Sequence, residues 1–340
     1  MRKPLFKIRE NGKFGFINGE GEVVIEPQYY DAEDFYNGFS RVRFNDKLVP
    51  LDELGRLLMK HLFSFIGHFE ENLACAKLIS LWGFVDERGS LAIDLQFDDA
   101  KDFSEGLAAV KDLGRYGYIN KKGDYIIDNQ YNNAGLFKGD LAPVSFNNQY
   151  AFINKKGTVV IPPRFDFAGH FQGEVAVVEV NKKWGLIDRN GNTKVEPQFD
   201  TVKNFSEGEF SESMAIAVKN NKFGFINQQG DVVVEPVYDL AGDFGDGLAL
   251  VSIEGNFGYV NNKGDLVIRH KFEEAGIFSS GLAQVRINGK WGFINKNGEL
   301  VIPAQYDNVL PFKSGLSWIS HHGKWAYINP KGEKVWKEQN

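Results

Sequence analysis

Apolar and polar residues follow a strict local grammar between Leu282 and Gln305, LAQVRINGKWGFINKNGELVIPAQ. LAQV alternates with the period of two that marks a half-buried strand. Asn288-Gly289 then supplies a two-residue hairpin turn. WGFIN is a second strand, rich in aromatic and β-branched residues. Asn295-Lys296-Asn297-Gly298 carries Asn first and Gly fourth, as a type I turn closed by a left-handed glycine requires. ELVI is a third strand, stopped by Pro303. The segment therefore predicts a three-stranded antiparallel meander. No stripe with a period of 3.6 residues lasts longer than a turn or two, so helices are not expected.

The same grammar recurs along the whole chain. An aromatic followed by a small residue stands at Phe14-Gly15, Trp82-Gly83, Tyr116-Gly117, Tyr150-Ala151, Trp184-Gly185, Phe223-Gly224, Phe257-Gly258, Trp291-Gly292 and Trp325-Ala326. Leu48-Val49 fills the remaining place in degenerate form. These anchors are 34 residues apart, except for one step of 39. Four residues after each of the ten anchors stands Asn or Asp, and seven after stands Gly. Fifteen after stands an aromatic, and twenty-one after stands Phe, in all nine copies that reach that far. A Phe held in every connecting segment is expected to be an anchor, its ring buried between neighbouring units.

The expected architecture is all-β: a tandem array of ten units of about 34 residues, each a three-stranded antiparallel meander. Leu5-Phe6-Lys7-Ile8 aligns with Leu282–Val285, and Val335-Trp336 falls in a third strand. No unit is divided between the two ends, and three strands fall short of the usual four-stranded propeller blade. An open, superhelical, solenoid-like array over 1–340, with a five-residue insertion near 209–213, is therefore expected. A β-propeller, as one ring or as two five-bladed rings, is the alternative.

Composition narrows the function classes. The 37 Gly and 29 Phe are largely the repeat counted ten times. One Cys excludes a disulfide framework. A net charge of −6 gives no electrostatic footprint for nucleic acid. No run approaches the roughly 20 apolar residues of a membrane span. MRKPLFKIRENGK has no apolar signal-peptide core, so a cytoplasmic location is expected.

The motif KWGFINxxGxxVIxPxYDxxxxFSxGLAxV runs nearly whole from Lys290 to Gly315 and from Lys222 to Val251. In this it resembles the WG-repeat (KWG-like) family of bacterial β-repeat proteins. The second repeat departs most, with Leu48, Val49 and Pro50 in place of aromatic, Gly and aromatic. The resemblance implies a bacterial interaction module and supplies no catalytic residues.

Candidate chemistry is sparse. Asp98, Asp166, Asp200, Asp239, Glu273 and Asp307 flank the loop aromatic. A row of carboxylates suits a cation, but an acid repeated in every unit better suits capping a turn through backbone N–H bonds. His61, His68 and Cys75 follow at seven-residue steps, which match no metal motif. His321-His322 precede Gly323 in an expected, exposed hairpin turn, and Cys75 is expected as a small buried hydrophobe. No phosphate loop, dinucleotide fingerprint or nucleophile elbow is present. Catalytic residues, metal and cofactor are accordingly expected to be none.

Residues outside the shared pattern are the candidates for function. They are Glu209, Phe210 and Glu212 in the acidic insertion, and the out-of-phase Trp318 and Trp336. The expected function is a non-catalytic scaffold binding a protein partner. The alternative is a carbohydrate- or cell-envelope-binding module whose spare aromatics stack on a glycan.

Overall fold

The computed structural model describes residues 4–44, 47–58, 63–203 and 212–338. Every regular element among them is a β-strand. The fourth repeat shows how the grammar becomes structure. Strands Ala108–Asp112 and Arg115–Ile119 pair antiparallel in the register Val110↔Gly117. Leu113 and Gly114 turn between them at φ of 50° and 80°, as the two left-handed central residues of a type I′ turn do. The third strand, Tyr125–Tyr131, closes the meander.

The turn before the third strand is built the same way in all ten repeats. Asn120 Oδ1 accepts the backbone N–H groups of Lys122 and Asp124, at 2.8 and 3.1 Å. Its counterparts, Asn or Asp, accept the same pair of bonds in the other nine. The Gly three residues on takes φ of 71° to 92° in every copy, where a side chain is strained.

The glycine after the anchor has a different reason. The third strand pairs Tyr118↔Ile127 and then Tyr116↔Tyr131, so residues 128–130 bulge across Gly117. A Cβ there would stand 2.5 Å from the Ile127 carbonyl oxygen.

The connecting segment adds to the meander a strand that the sequence pattern did not announce. Asp99–Ala100 pairs with Lys111 and Val110 of the following repeat, making a sheet of four strands. Asn133–Ala134, Glu274–Ala275 and Asn308–Val309 do the same. In Phe167–Gln172 and Leu240–Gly245 this strand lengthens to six residues.

The Phe twenty-one residues after the anchor is buried, as expected, in the described repeats except the first, where Phe35 is half-buried. Phe137 is fully buried, its ring 4.8 Å from that of Tyr118. The equivalent pair recurs from Phe84–Phe103 at 4.8 Å to Phe293–Phe312 at 4.9 Å. Where Pro50 removes the partner, Phe69 turns to Phe39 at 4.3 Å. Phe205 lies outside the described residues. Phe137 shares one apolar cluster with Tyr118 of its own repeat and Ala142, Val144 and Ala151 of the next. The core is thus a succession of clusters, each held jointly by two repeats.

The chain divides into two compact units, residues 1–17 with 23–193 and residues 18–22 with 194–340. Within each unit the turn glycine of one repeat leans on the third strand of another. Gly123 faces Ile93 in the first unit, and Gly298 faces Ile268 in the second. The turn of the first repeat belongs to the second unit, where Gly21 lies against the Val335 carbonyl of the tenth.

Candidate interaction surface

The six acids beside the loop aromatic are all spent on the fold. Each accepts a backbone N–H from the following hairpin turn. Asp166 takes that of Asn181 at 2.7 Å, Asp239 that of Glu254 at 2.7 Å, and Glu273 that of Gly289 at 3.0 Å. Asp98, Asp200 and Asp307 do likewise with Gly114, Asn220 and His322. Hydrogen bonds from Lys222 and Lys290 hold the carboxyls of Asp239 and Asp307 below their usual range. The turn-capping reading of these acids is therefore the one the geometry realises.

A second set of acids, of which the sequence reading singled out only Glu212, also bonds backbone N–H groups. They sit at the tip of the turn that follows the buried Phe, and each bonds the same turn one repeat on. Glu71 accepts from Gly106 N–H at 3.2 Å, and Glu105 from Asp140 N–H at 2.9 Å. Asp246 accepts from Gly281 N–H at 2.6 Å. Glu212, at the end of the insertion, belongs to this set and accepts from Gly247 N–H at 2.8 Å. Lys121 and Lys155 lie over Glu71 and Glu105 at 2.9 and 3.0 Å. The signal was available, since Glu71 and Glu105 are one repeat apart in the sequence. Glu209 and Phe210 lie outside the described residues.

The histidines and the cysteine are dispersed. His61 lies outside the described residues, and the His68 ring packs against Tyr36 at 4.9 Å. Cys75 is buried, and its thiol donates to Asp102 Oδ1 at 3.3 Å. Burial, and then the Asp102 charge, push the Cys75 thiol up and keep it protonated.

His170 lies inside the first unit with Nδ1 3.0 Å from the Leu136 carbonyl oxygen. Burial, then Lys138, lower it to about 4. The unfolded chain therefore takes up a proton at His170 more readily than the folded one. Stability should fall as pH drops from about 6.5 towards 4. Melting curves at pH 7 and pH 5 test this: His170→Gln should lose less between them than the parent. An equal loss would show that His170 contributes nothing.

The anchor aromatics remain in part exposed. Phe14, Trp82, Tyr116, Tyr150, Trp184, Phe223, Phe257, Trp291 and Trp325 are all half-buried. Lys77 lies 5.2 Å from the Trp82 ring, and Lys101 and Lys111 lie 5.5 and 5.6 Å from that of Tyr116. Phe167 packs against Tyr150 at 5.3 Å and Trp184 at 5.4 Å. Of the two out-of-phase tryptophans, Trp318 is half-buried and edge-on to Trp325 at 5.0 Å. Trp336 is buried, 8 % exposed, with its ring 6.3 Å from that of Tyr327. Its position had a signal. Eleven residues after the anchor the described repeats carry a buried Ile or Val, such as Ile25, Val234 and Ile302, and Trp336 occupies that place.

The family profile described as the WG containing repeat matches eight times, over residues 14–47, 82–115, 116–150, 150–184, 184–223, 223–257, 257–291 and 291–325. The chain belongs to the WG-repeat family. The stretch between the first two matches is the second repeat, whose Leu48-Val49 replaces the motif.

No curated protein matches this WG-repeat chain. Among solved structures it is similar to a eukaryotic initiation factor at 10% identity and a TM-score of 0.53, over 100% of this chain and 96% of the other. That is a likeness of fold alone. Two further solved structures are similar at lower TM-scores. Hsv2p of Kluyveromyces lactis is 10% identical with a TM-score of 0.38, over 66% of this chain and 89% of that one. PorZ of Porphyromonas gingivalis, a surface component of the type-IX secretion system, is 10% identical with a TM-score of 0.34, over 100% and 52%. No helix among the described residues is long and apolar enough to cross a membrane.

Proposed function

We propose that this WG-repeat chain is a non-catalytic scaffold that binds a protein partner, within the cytoplasm, through the half-buried anchor aromatics of successive repeats. The observation that supports this reading is that row of rings. All nine aromatic anchors are only half-buried, although each stands beside a glycine or alanine in a tightly built strand. Aromatic residues dominate the energetics of protein interfaces when a partner covers them. The acids and glycines that repeat with them are consumed by turns, which leaves the rings, beside the exposed apolar pairs of the third strands such as Val23-Val24 and Leu300-Val301, as recurring accessible features. The net charge of −6 favours a basic partner.

The test is affinity capture from extract with the full chain and with the double variant Trp82→Ala/Tyr116→Ala. The expected result is a salt-sensitive protein partner that the parent retains and the variant loses, with the circular dichroism of the two unchanged. Capture that ignores the substitutions would refute the aromatic row as the binding surface. Saturable binding of a glycan in place of a protein would replace this reading with the carbohydrate one.

A further inference from the structure

The tenth repeat departs from its siblings at the positions that line one cavity. The hollow, of about 500 Å³, lies against the hairpin strands Ser317–His321 and Lys324–Ile328 and the strand Lys334–Lys337. Nine residues after the anchor, the other repeats carry an apolar residue such as Val23, Tyr125 or Leu300, or else Thr193, and the tenth carries Lys334. Twelve residues after it, five of the others carry an acid, among them Glu26 and Asp128, two carry the cations Lys60 and Arg269, and the tenth carries Lys337. The hairpin turn that is Asn-Gly in the ninth repeat is His322-Gly323 in the tenth. Two of these changes replace an apolar or acidic residue by a cation, in a chain whose net charge is −6.

The backbone makes room for the hollow. In the ninth repeat the third strand jumps from Phe293↔Ile302 to Trp291↔Tyr306, so three residues bulge over Gly292 and an aromatic faces the anchor. In the tenth, Ala326 stands in the glycine's place. One register shift remains between Ile328 and Tyr327, but the strand then pairs in step, with Tyr327↔Trp336 and Ala326↔Lys337, and no bulge crosses Ala326. Trp325 thus borders the hollow together with Ile319 and Ala326. Trp318 stands edge-on to it at 90° and fixes the plane of the indole. His321, His322 and Lys324 also line the cavity, and Glu338 is its one acid. That carboxylate already accepts the Trp325 backbone N–H at 3.2 Å.

We propose that this cavity binds a small organic anion bearing a ring. Lys334 and Lys337, with His322, hold its carboxylate or phosphate, and Trp325 and Ala326 receive the ring. Cations gathered beside an aromatic wall suit that ligand class, because charge-assisted bonds orient the anionic group while the flat apolar face excludes water. The site goes beyond partner binding and shares only Trp325 with the anchor row, and the lysine variants that test it leave that row intact.

Calorimetric titration of the full chain with phenyl phosphate tests the proposal, with inorganic phosphate and phenol as the two half-probes. Phenyl phosphate should bind saturably, about tenfold or more tighter than either half-probe. The double variant Lys334→Leu/Lys337→Glu restores residue types that other repeats carry, and it should weaken binding about tenfold. Lys263→Glu, on a turn of the eighth repeat, should leave binding unchanged. If the double variant loses its cooperative melt, Lys337→Gln alone is read instead, with about a threefold weakening expected. An isotherm that does not saturate, equal affinity for inorganic phosphate, or variants that bind as the parent does would each overturn the proposal.

Discussion

Replacing Phe244 by alanine should destabilise the second unit by roughly 3–5 kcal/mol, the usual cost of emptying a packed aromatic site. Phe244 is 3 % exposed, and its ring lies 5.0 Å from that of Phe225 in the preceding strand pair. It belongs to a cluster that joins Met214, Ile216 and Phe225 of one repeat with Ala249, Val251 and Val260 of the next. Removing it therefore opens a void between the clustered side chains of two repeats. Its chain neighbour provides the control. Burial pushes the Asp243 carboxyl up, so its charged form is penalised at neutral pH and its loss should cost little. Denaturant titrations of Phe244→Ala and Asp243→Ala should thus differ by several kcal/mol. Equal effects would remove the ring from its role as anchor.

Gly264→Ala should be the second severe lesion, because two separate obstacles meet at one residue. Gly264 has φ of 88°, and a Cβ there would also stand 2.6 Å from the Val233 carbonyl oxygen of the preceding repeat. Gly281 has φ of 79° with nothing within 4 Å of its Cβ position. Gly281→Ala should accordingly cost about 1 kcal/mol, from backbone conformation alone. Gly264→Ala adds the displacement of a neighbouring strand and should cost about 1–3 kcal/mol more. The difference between the two melts isolates the contact between repeats from the strain of the turn. If the two variants melt together, the turn glycine matters only to its own turn.

What the sequence made legible follows the range of the interactions involved. The Asn-to-Gly turns were readable because all their bonds close within five residues, as Asn120 does with Lys122 and Asp124. The buried Phe was readable because its invariance has no local explanation. The glycine after the anchor was visible, but its reason was not, since the bulge that crosses Gly117 comes from the next strand. The short strand Asp99–Ala100 makes only the two ladder pairings Asp99↔Lys111 and Ala100↔Val110, too little to shape a hydrophobic pattern. At the candidate surface, Trp336 looked spare because it is out of phase with the anchors, yet it stands eleven residues after Trp325, at a position that is buried in the other described repeats. Glu71 and Glu105, which link turn to turn, went unread because they sit among ordinary polar turn residues. The lysines of the tenth repeat were legible only against the other nine copies, once the structure had shown which positions share a wall.

One contact sets an order on folding. The bonds that tie one repeat to the next, such as Glu71 to Gly106, close loops of a single repeat length. The seat of Gly21 on Val335 joins residues about an order of magnitude farther apart along the chain. Loop-closure entropy makes that contact about 2 kcal/mol more costly to form from the unfolded chain. Neighbouring repeats can therefore nucleate and spread first, and the first turn finds the last strand only when the chain between them has already condensed. The slowest kinetic phase of refolding should belong to Gly21, a residue whose own turn forms locally and early.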